Sequence, residues 1–269
     1  MIKTTLKRAA SPLLQRMRPG NVALFHFGRS GSTVVTRMLH EHPRVHWASE
    51  LFAPLYAQSR QEDAARLRGV DSAEAMFSYL RADMRSALHR FYGVEFKPYH
   101  YQSFQLSTAD FIERLKELGF THFMFLDREN RLRKVVSTLV ANAKNGAYHL
   151  KQGESAQLTR VRVDPRKLTV DLIEQSLVEY LDQYDRDAAQ ILEALDGVNA
   201  LRLSYEQDVQ ADPARAYARV CAFLGLTPRP VEARFSRTNP FPLRDIVENY
   251  DELTQALRGT PHAWMLDEA

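Results

Sequence analysis

Val22-Ala23-Leu24-Phe25-His26-Phe27 runs directly into Gly28-Arg29-Ser30-Gly31-Ser32-Thr33, and a new pattern opens at Val34-Val35. The first six residues are a largely apolar run of strand length, as expected of a strand covered on both faces. Beyond the glycines, Val34, Val35, Met38 and Leu39 recur at helical spacing, on a helix that must end before Pro43. A buried strand, a short glycine-bearing loop and an amphipathic helix form the repeating unit of a parallel α/β sheet. The glycines let the backbone turn tightly and aim N–H groups at an anion. The helix N-terminus adds positive partial charge, and the hydroxyls add donors. A phosphate-type site over Arg29, Ser30, Gly31, Ser32 and Thr33 is therefore expected, against the blander alternative of an ordinary Ser/Thr-capped turn. The loop is not of Walker form. With Gly31 as the second glycine of G-x-x-x-x-G-K-[ST], His26 and Ser32 replace the first glycine and the lysine; with Gly28, Ala23 and Arg29 do.

Outward from this unit, further apolar runs at 44–47, 94–97, 121–127 and 199–203 read as strands. Helical spacing marks 73–90, 108–118, 129–145, 170–195 and 213–224, with Pro213 near the start of the last and Gly225 past its end. One late helix is expected near 244–257, and residues 146–168 read as a long loop or flap. The expected fold is α/β, a P-loop-like parallel sheet with helices on both faces, forming a single domain over 21–269 after a basic lead-in over 1–20.

Charge placement narrows the partners. Residues 1–20 hold five bases and no acid, which leaves 31 of the 36 bases against all 33 acids in the rest. A nearly neutral body is a poor nucleic-acid binder. The lead-in has no apolar core of the length a secretory signal needs. It reads as a solvated segment, with weak contact to an anionic membrane surface as the alternative; the expected location is the cytoplasm, or its face of the membrane. Cys221, the one cysteine, cannot form an internal disulfide and falls in an apolar helical pattern. His40, His42 and His46 are spaced like metal ligands, but Pro43 separates them, so no metal is expected.

Two further features carry chemistry. After the strand at 121–127, Arg128 and Ser137 are placed to hold a second phosphate, while Arg131, Arg133 and Lys134 read as a solvated helix face. The C-terminal ends of parallel strands share one edge, where ligands bind. The 28–33 loop, Glu50, Lys97 with His100, Arg128 and Tyr205 all fall just beyond the five expected strands.

Together these residues resemble the sulfotransferase family, most closely its bacterial carbohydrate-type members, over about residues 21 to 258. The resemblance rests on Arg29-Ser30-Gly31-Ser32-Thr33 after a strand, Arg128 to Ser137, Leu203-Ser204-Tyr205-Glu206, Phe223-Leu224-Gly225-Leu226, Thr238-Asn239-Pro240 and Asn249-Tyr250-Asp251-Glu252-Leu253. It implies 3′-phosphoadenosine 5′-phosphosulfate as sulfuryl donor, 3′,5′-adenosine bisphosphate as product and a carbohydrate or glycolipid hydroxyl as acceptor. By the same likeness, the first loop holds the 5′-phosphosulfate, and Arg128 and Ser137 hold the 3′-phosphate. Tyr205 contacts adenine, and Lys97 stabilises the transferring group. Glu50 is the general base with His100 its competitor, and Arg234 or Arg237 replaces a missing basic-glycine signature. Val34 stands where cytosolic members carry an adenine-stacking Trp, so that platform is unassigned. Acceptor specificity is expected in 54–92 and 146–168. The rival readings are a P-loop nucleotide kinase or NTPase and a non-catalytic binding protein of the same fold.

Overall fold

Asn21–His26 forms β1, and all six residues are buried. In this computed structural model, which describes residues 17–55, 67–144, 150–151, 155–171, 173–231, 235–236 and 239–267, β1 is the middle of a five-stranded sheet. The other strands are β2 (Val45–Trp47), β3 (Phe91–Phe96), β4 (Phe120–Asp127) and, later in the chain, β8 (Ala200–Ser204). Their order is β2-β3-β1-β4-β8, and every pairing is parallel. Two short antiparallel pairs lie outside this sheet: β5 (Leu150–Lys151) with β9 (Phe235–Ser236), and β6 (Leu168–Val170) with β7 (Ile173–Gln175).

Strand alternation divides the core. Ala23 and Phe25 of β1, Val94 and Phe96 of β3, and Phe123 and Phe125 of β4 share one apolar cluster. Helices α2 (Ala73–Asp83), α4 (Thr108–Glu117), α5 (Arg131–Ala143) and α6 (Leu177–Ala194) cover it, after the short α3 (Pro98–Gln102). Val22, Leu24, Met124 and Leu126 face the other way, under α1 (Ser32–Glu41) and α7 (Pro213–Phe223). The helices that follow β1 and β4 thus lie on opposite faces, so the sheet's switch point opens at the C-terminal ends of these two neighbours.

Several boundaries differ from expectation. The helix expected over 73–90 ends at Asp83 and gives way to a 3-10 turn at Met84–Ala87, and Leu88 adopts φ 55°. β3 consequently begins at Phe91, not at Val94. Gly93 belongs to it because the Trp47 ring lies across the strand; a Cβ there would come within 2.0 Å of the ring. The helix expected from 170 starts at Leu177, where Ser176 and Glu179 form a capping box, and the β6–β7 pair precedes it. The late helix is two, α8 (Leu243–Ile246) and α9 (Tyr250–Leu257). Between them Val161 inserts, its N–H donating to Ile246 O and its carbonyl accepting from the Glu248 N–H. This contact pins down the described part of the expected flap. Of the lead-in, residues 1–16 lie outside the described residues, but the Arg18 guanidinium is fastened to Asn21 Oδ1, Met84 O and Leu88 O. Cys221 is buried, as its pattern suggested.

Candidate functional site

The loop after β1 winds through three left-handed residues, Gly28 (φ 77°), Arg29 (φ 53°) and Gly31 (φ 80°). A left-handed arginine costs on the order of 1–3 kcal/mol, so the strain sits where the anion site is expected. Gly31 is the N-cap of α1 and supplies no side-chain cap, which overturns the Ser/Thr-capped alternative. Val34 N–H donates to the Gly31 carbonyl (3.1 Å), while the Ser32 and Thr33 N–H groups are left for another acceptor. Ser30 is fully buried, and its Oγ has no hydrogen-bond partner among the described residues. No side chain fits at Gly31, because a Cβ there would lie 2.8 Å from Val209 and 3.0 Å from the Tyr205 ring.

The second expected segment meets this loop directly. Arg29 Nε donates to Ser137 Oγ (3.0 Å), and an Arg128 Nη donates to the Arg29 carbonyl (2.9 Å). The Arg128 guanidinium also covers the Tyr205 ring at 4.5 Å. Its buried Nε has no hydrogen-bond partner among the described residues. Glu206 accepts from the Glu129 and Asn130 N–H groups, holding the start of α5 against β8. The solvated face expected of this helix is corrected here. Lys134 is fully buried, its ammonium bonded to Asp171 Oδ2 and the Tyr180 hydroxyl. Arg131 pairs with Asp127 and Asp185, and Arg133 donates to Phe241 O.

On the other side of β1, Lys97 Nζ donates to Glu50 Oε2 at 2.6 Å. It lies 3.6 Å from where a Gly28 Cβ would stand, so it reaches across to the loop. Burial alone would push this ammonium's pKa down, but the Glu50 carboxylate outweighs it and holds it well above the usual lysine value. His100 is fully buried on α3, and its Nδ1 accepts from the Lys97 N–H (3.2 Å). Burial and the nearby Lys97 charge push His100 down to about 3.

Sequence reasoning missed a layer beneath Glu50. His26 Nδ1 accepts from the Gly28 N–H (3.0 Å), while its Nε2 lies 3.3 Å from Glu95 Oε2 and 4.0 Å from Glu50 Oε1. Trp47 Nε1 donates to Glu95 Oε1 at 3.1 Å. Burial alone would raise the Glu95 pKa, yet His26 and Trp47 together leave it lowered, so the carboxylate is ionised. His26, Glu50 and Glu95 are the group of described residues placed closely enough to suggest a metal. The imidazole is unsuited to it. With Nδ1 accepting from the backbone, the neutral ring carries its proton on Nε2, the atom that would have to ligate. His42 and His46 are engaged separately, His42 with the Arg44 N–H and Thr227 O, His46 with Ser86 and Arg90.

A cleft open to solvent lies beside Lys97. Its walls come from Phe27, α3, Asp171 and α6, and no described residue of 54–92 or 146–168 lines it. Arg234 and Arg237 lie outside the described residues.

The strained loop, the paired lysine and carboxylate and the adjoining cleft gather at the switch point of the α/β sheet. The sulfotransferase family model matches residues 25–230, and the chain belongs to that family: it is a sulfotransferase. No curated protein matches it in sequence. Among solved structures it is similar to a sulfotransferase from Alicyclobacillus acidocaldarius, with 13% identity, TM-score 0.48, and 92% and 94% of the two chains covered. A sugar kinase from Janibacter sp. HTCC2649 is also similar, with 13% identity, TM-score 0.40, and 78% and 96% covered. So is mouse sulfotransferase SULT7A1 complexed with PAP, with 12% identity, TM-score 0.37, and 93% and 87% covered. Likenesses this distant say nothing of activity or substrate. No helix among the described residues is long and apolar enough to cross a membrane.

Proposed function

We propose that the chain transfers the sulfuryl group of 3′-phosphoadenosine 5′-phosphosulfate to a hydroxyl of a carbohydrate or glycolipid acceptor, without a metal. The observation that carries this reading is the 2.6 Å Lys97–Glu50 contact, set between the Gly28 loop and the cavity. This supports a reading in which a carboxylate that takes a proton and a lasting positive charge flank the meeting point of the two substrates.

The residues fit the donor. The Ser32 and Thr33 N–H groups at the start of α1, the buried Ser30 Oγ and the Arg128 Nε lack, among the described residues, a partner that a phosphate would supply. Ser30, Gly31, Ser32 and Thr33 are assigned to its 5′ end, Arg128 and Ser137 to the 3′-phosphate, and Tyr205 to adenine. Bound there, the donor supplies an activated sulfuryl group on a phosphate leaving group. Arg29, oriented by Ser137, balances charge at the leaving oxygen, work done by positioned positive charge. Glu50 takes the proton of the acceptor hydroxyl. Lys97 keeps its charge at any working pH and offsets negative charge beside the loop. His100, a weak base in its apolar surroundings, is the less suited acceptor of that proton.

A thermal-shift comparison tests the assignment. 3′,5′-Adenosine bisphosphate should stabilise the protein without Mg²⁺, and ATP with Mg²⁺ should not. No shift at millimolar bisphosphate overturns the donor assignment; a shift with Mg-ATP alone favours a kinase.

A further inference from the structure

The cavity beside Lys97 carries two carboxylates that the proposed chemistry does not use, Asp171 and Asp187. Asp171 sits at the tip of the β6–β7 pair with φ 53°, a conformation a non-glycine residue adopts at a cost. Its Oδ2 accepts from the Tyr180 hydroxyl (2.8 Å) and from the buried Lys134 ammonium. Asp187 Oδ1 accepts from Gln102 Nε2 (3.1 Å) and Gln183 Nε2 (3.0 Å). In each carboxylate one oxygen is spent on the protein. The other, Asp171 Oδ1 or Asp187 Oδ2, has no hydrogen-bond partner among the described residues. The tyrosines are arranged in the complementary sense. Tyr180 and Tyr184 line the cavity with their hydroxyls turned to Asp171 and Asp127; Lys134 Nζ stands 4.9 Å from the centre of the Tyr180 ring, and Phe27 packs on Tyr184 with 3.9 Å between ring centres.

Apolar carbon from Phe27, Pro98 and the tyrosines beside open carboxylate oxygens suits a ligand with C–H surfaces and several O–H donors. Charge narrows the class further. Glu50 pairs with Lys97 and Asp171 with Lys134, whereas Asp187 makes no ion pair among the described residues and feels the charge of Arg186 only from a distance. Arg186, next to it in the chain, directs its guanidinium to Gln183 in an exposed contact. The pocket is therefore unfavourable to an acceptor that is already anionic.

We propose that Asp171 and Asp187 are specificity-determining residues that select a neutral polyhydroxylated ring as acceptor and reject uronates and sugars already sulfated. The inference rests on the sulfuryl-transfer reading above, and the test separates the two. Transfer of labelled sulfate is measured to lactose, maltotriose and octyl glucoside as neutral probes, and to glucuronate and glucose 6-sulfate as anionic ones. A neutral probe should be sulfated at least tenfold more efficiently than either anion. Asp171→Asn unsettles the buried Lys134, so Asp187→Asn is the deciding variant: its amide oxygen can keep both glutamine contacts. It should raise KM for the neutral probe roughly 10- to 100-fold, the usual weight of a hydrogen bond to a charged group. The kcat should hold within about threefold, and the preference over glucuronate should narrow. Equal or better transfer to the anions, an unchanged KM in Asp187→Asn, or no transfer to any neutral probe by a protein that binds 3′,5′-adenosine bisphosphate overturns the inference alone. Failure to bind the bisphosphate overturns the underlying reading, and this one with it.

Discussion

Glu50 and His100 both stand next to Lys97, and their surroundings drive them apart as bases. The Glu50 carboxylate reaches partial solvent and an ammonium, whereas His100 is closed in and held at about 3. Glu50→Gln keeps size and hydrogen bonding but cannot take a proton. Turnover should fall by roughly 10²–10⁴, with little change in bisphosphate affinity, and His100→Asn should cost far less. If the two variants exchange these effects in steady-state assays, the base is His100. The same burial gives His100 a signature in stability. Its folded pKa of about 3 lies below the ordinary 6.5, so between those values the unfolded chain binds the extra proton. Stability from this group is then complete above about pH 6.5 and is lost as pH falls through the window, by up to about 1.4 kcal/mol per unit. Urea midpoints at pH 7 and pH 5 should therefore differ less in His100→Asn than in the wild type. An identical acid slope would show that His100 takes its proton without unfolding.

Among the elements, the loop from β1 to α1 tolerates least. Gly31→Ala forces a Cβ against Val209 and Tyr205 at φ 80°, and should cost about 1–3 kcal/mol in urea denaturation and weaken donor binding. Wild-type stability in this variant would mean that Tyr205 can move aside, and that it does not fix the loop. This element was legible in the sequence because its parts are adjacent: a buried run, two glycines and a helical period within some twenty residues. The five strands were legible for the same local reason, and their C-terminal ends brought Arg29, Glu50, Lys97, Arg128 and Tyr205 to one edge. What escaped depends on neighbours far along the chain. Phe91–Gly93 reads as strand only once Trp47 is known to need the space over Gly93. His26 and Glu95 look like polar interruptions in apolar runs until β1 and β3 pair and bring them under Glu50. Lys134 looked solvated because its partners, Asp171 and Tyr180, arrive 37 and 46 residues later.

For the molecule as a whole, the two proposed phosphate sites draw on different parts of the chain, and one ligand should tie them together. Bisphosphate at 100 times its dissociation constant should stabilise the protein by about 2.7 kcal/mol, seen as a rise in melting temperature without Mg²⁺. Arg128→Ala should weaken that ligand by about 1.5–3 kcal/mol, yet leave adenosine 5′-phosphosulfate, which has no 3′-phosphate, nearly unchanged. Equal losses for both would return Arg128 to a purely structural role. The central position of β1 also bears on how the chain is made. Both of its edges are satisfied by strands that follow roughly 70 and 100 residues later, and β8 must still close the far side. During synthesis, Val22–Phe27 leaves the ribosome before either partner strand, as a sticky segment with both edges and both faces open. Such distant pairing makes for slow folding. Fragments ending before Phe120 should therefore aggregate or occupy chaperones, while chains extended past Ser204 should escape both.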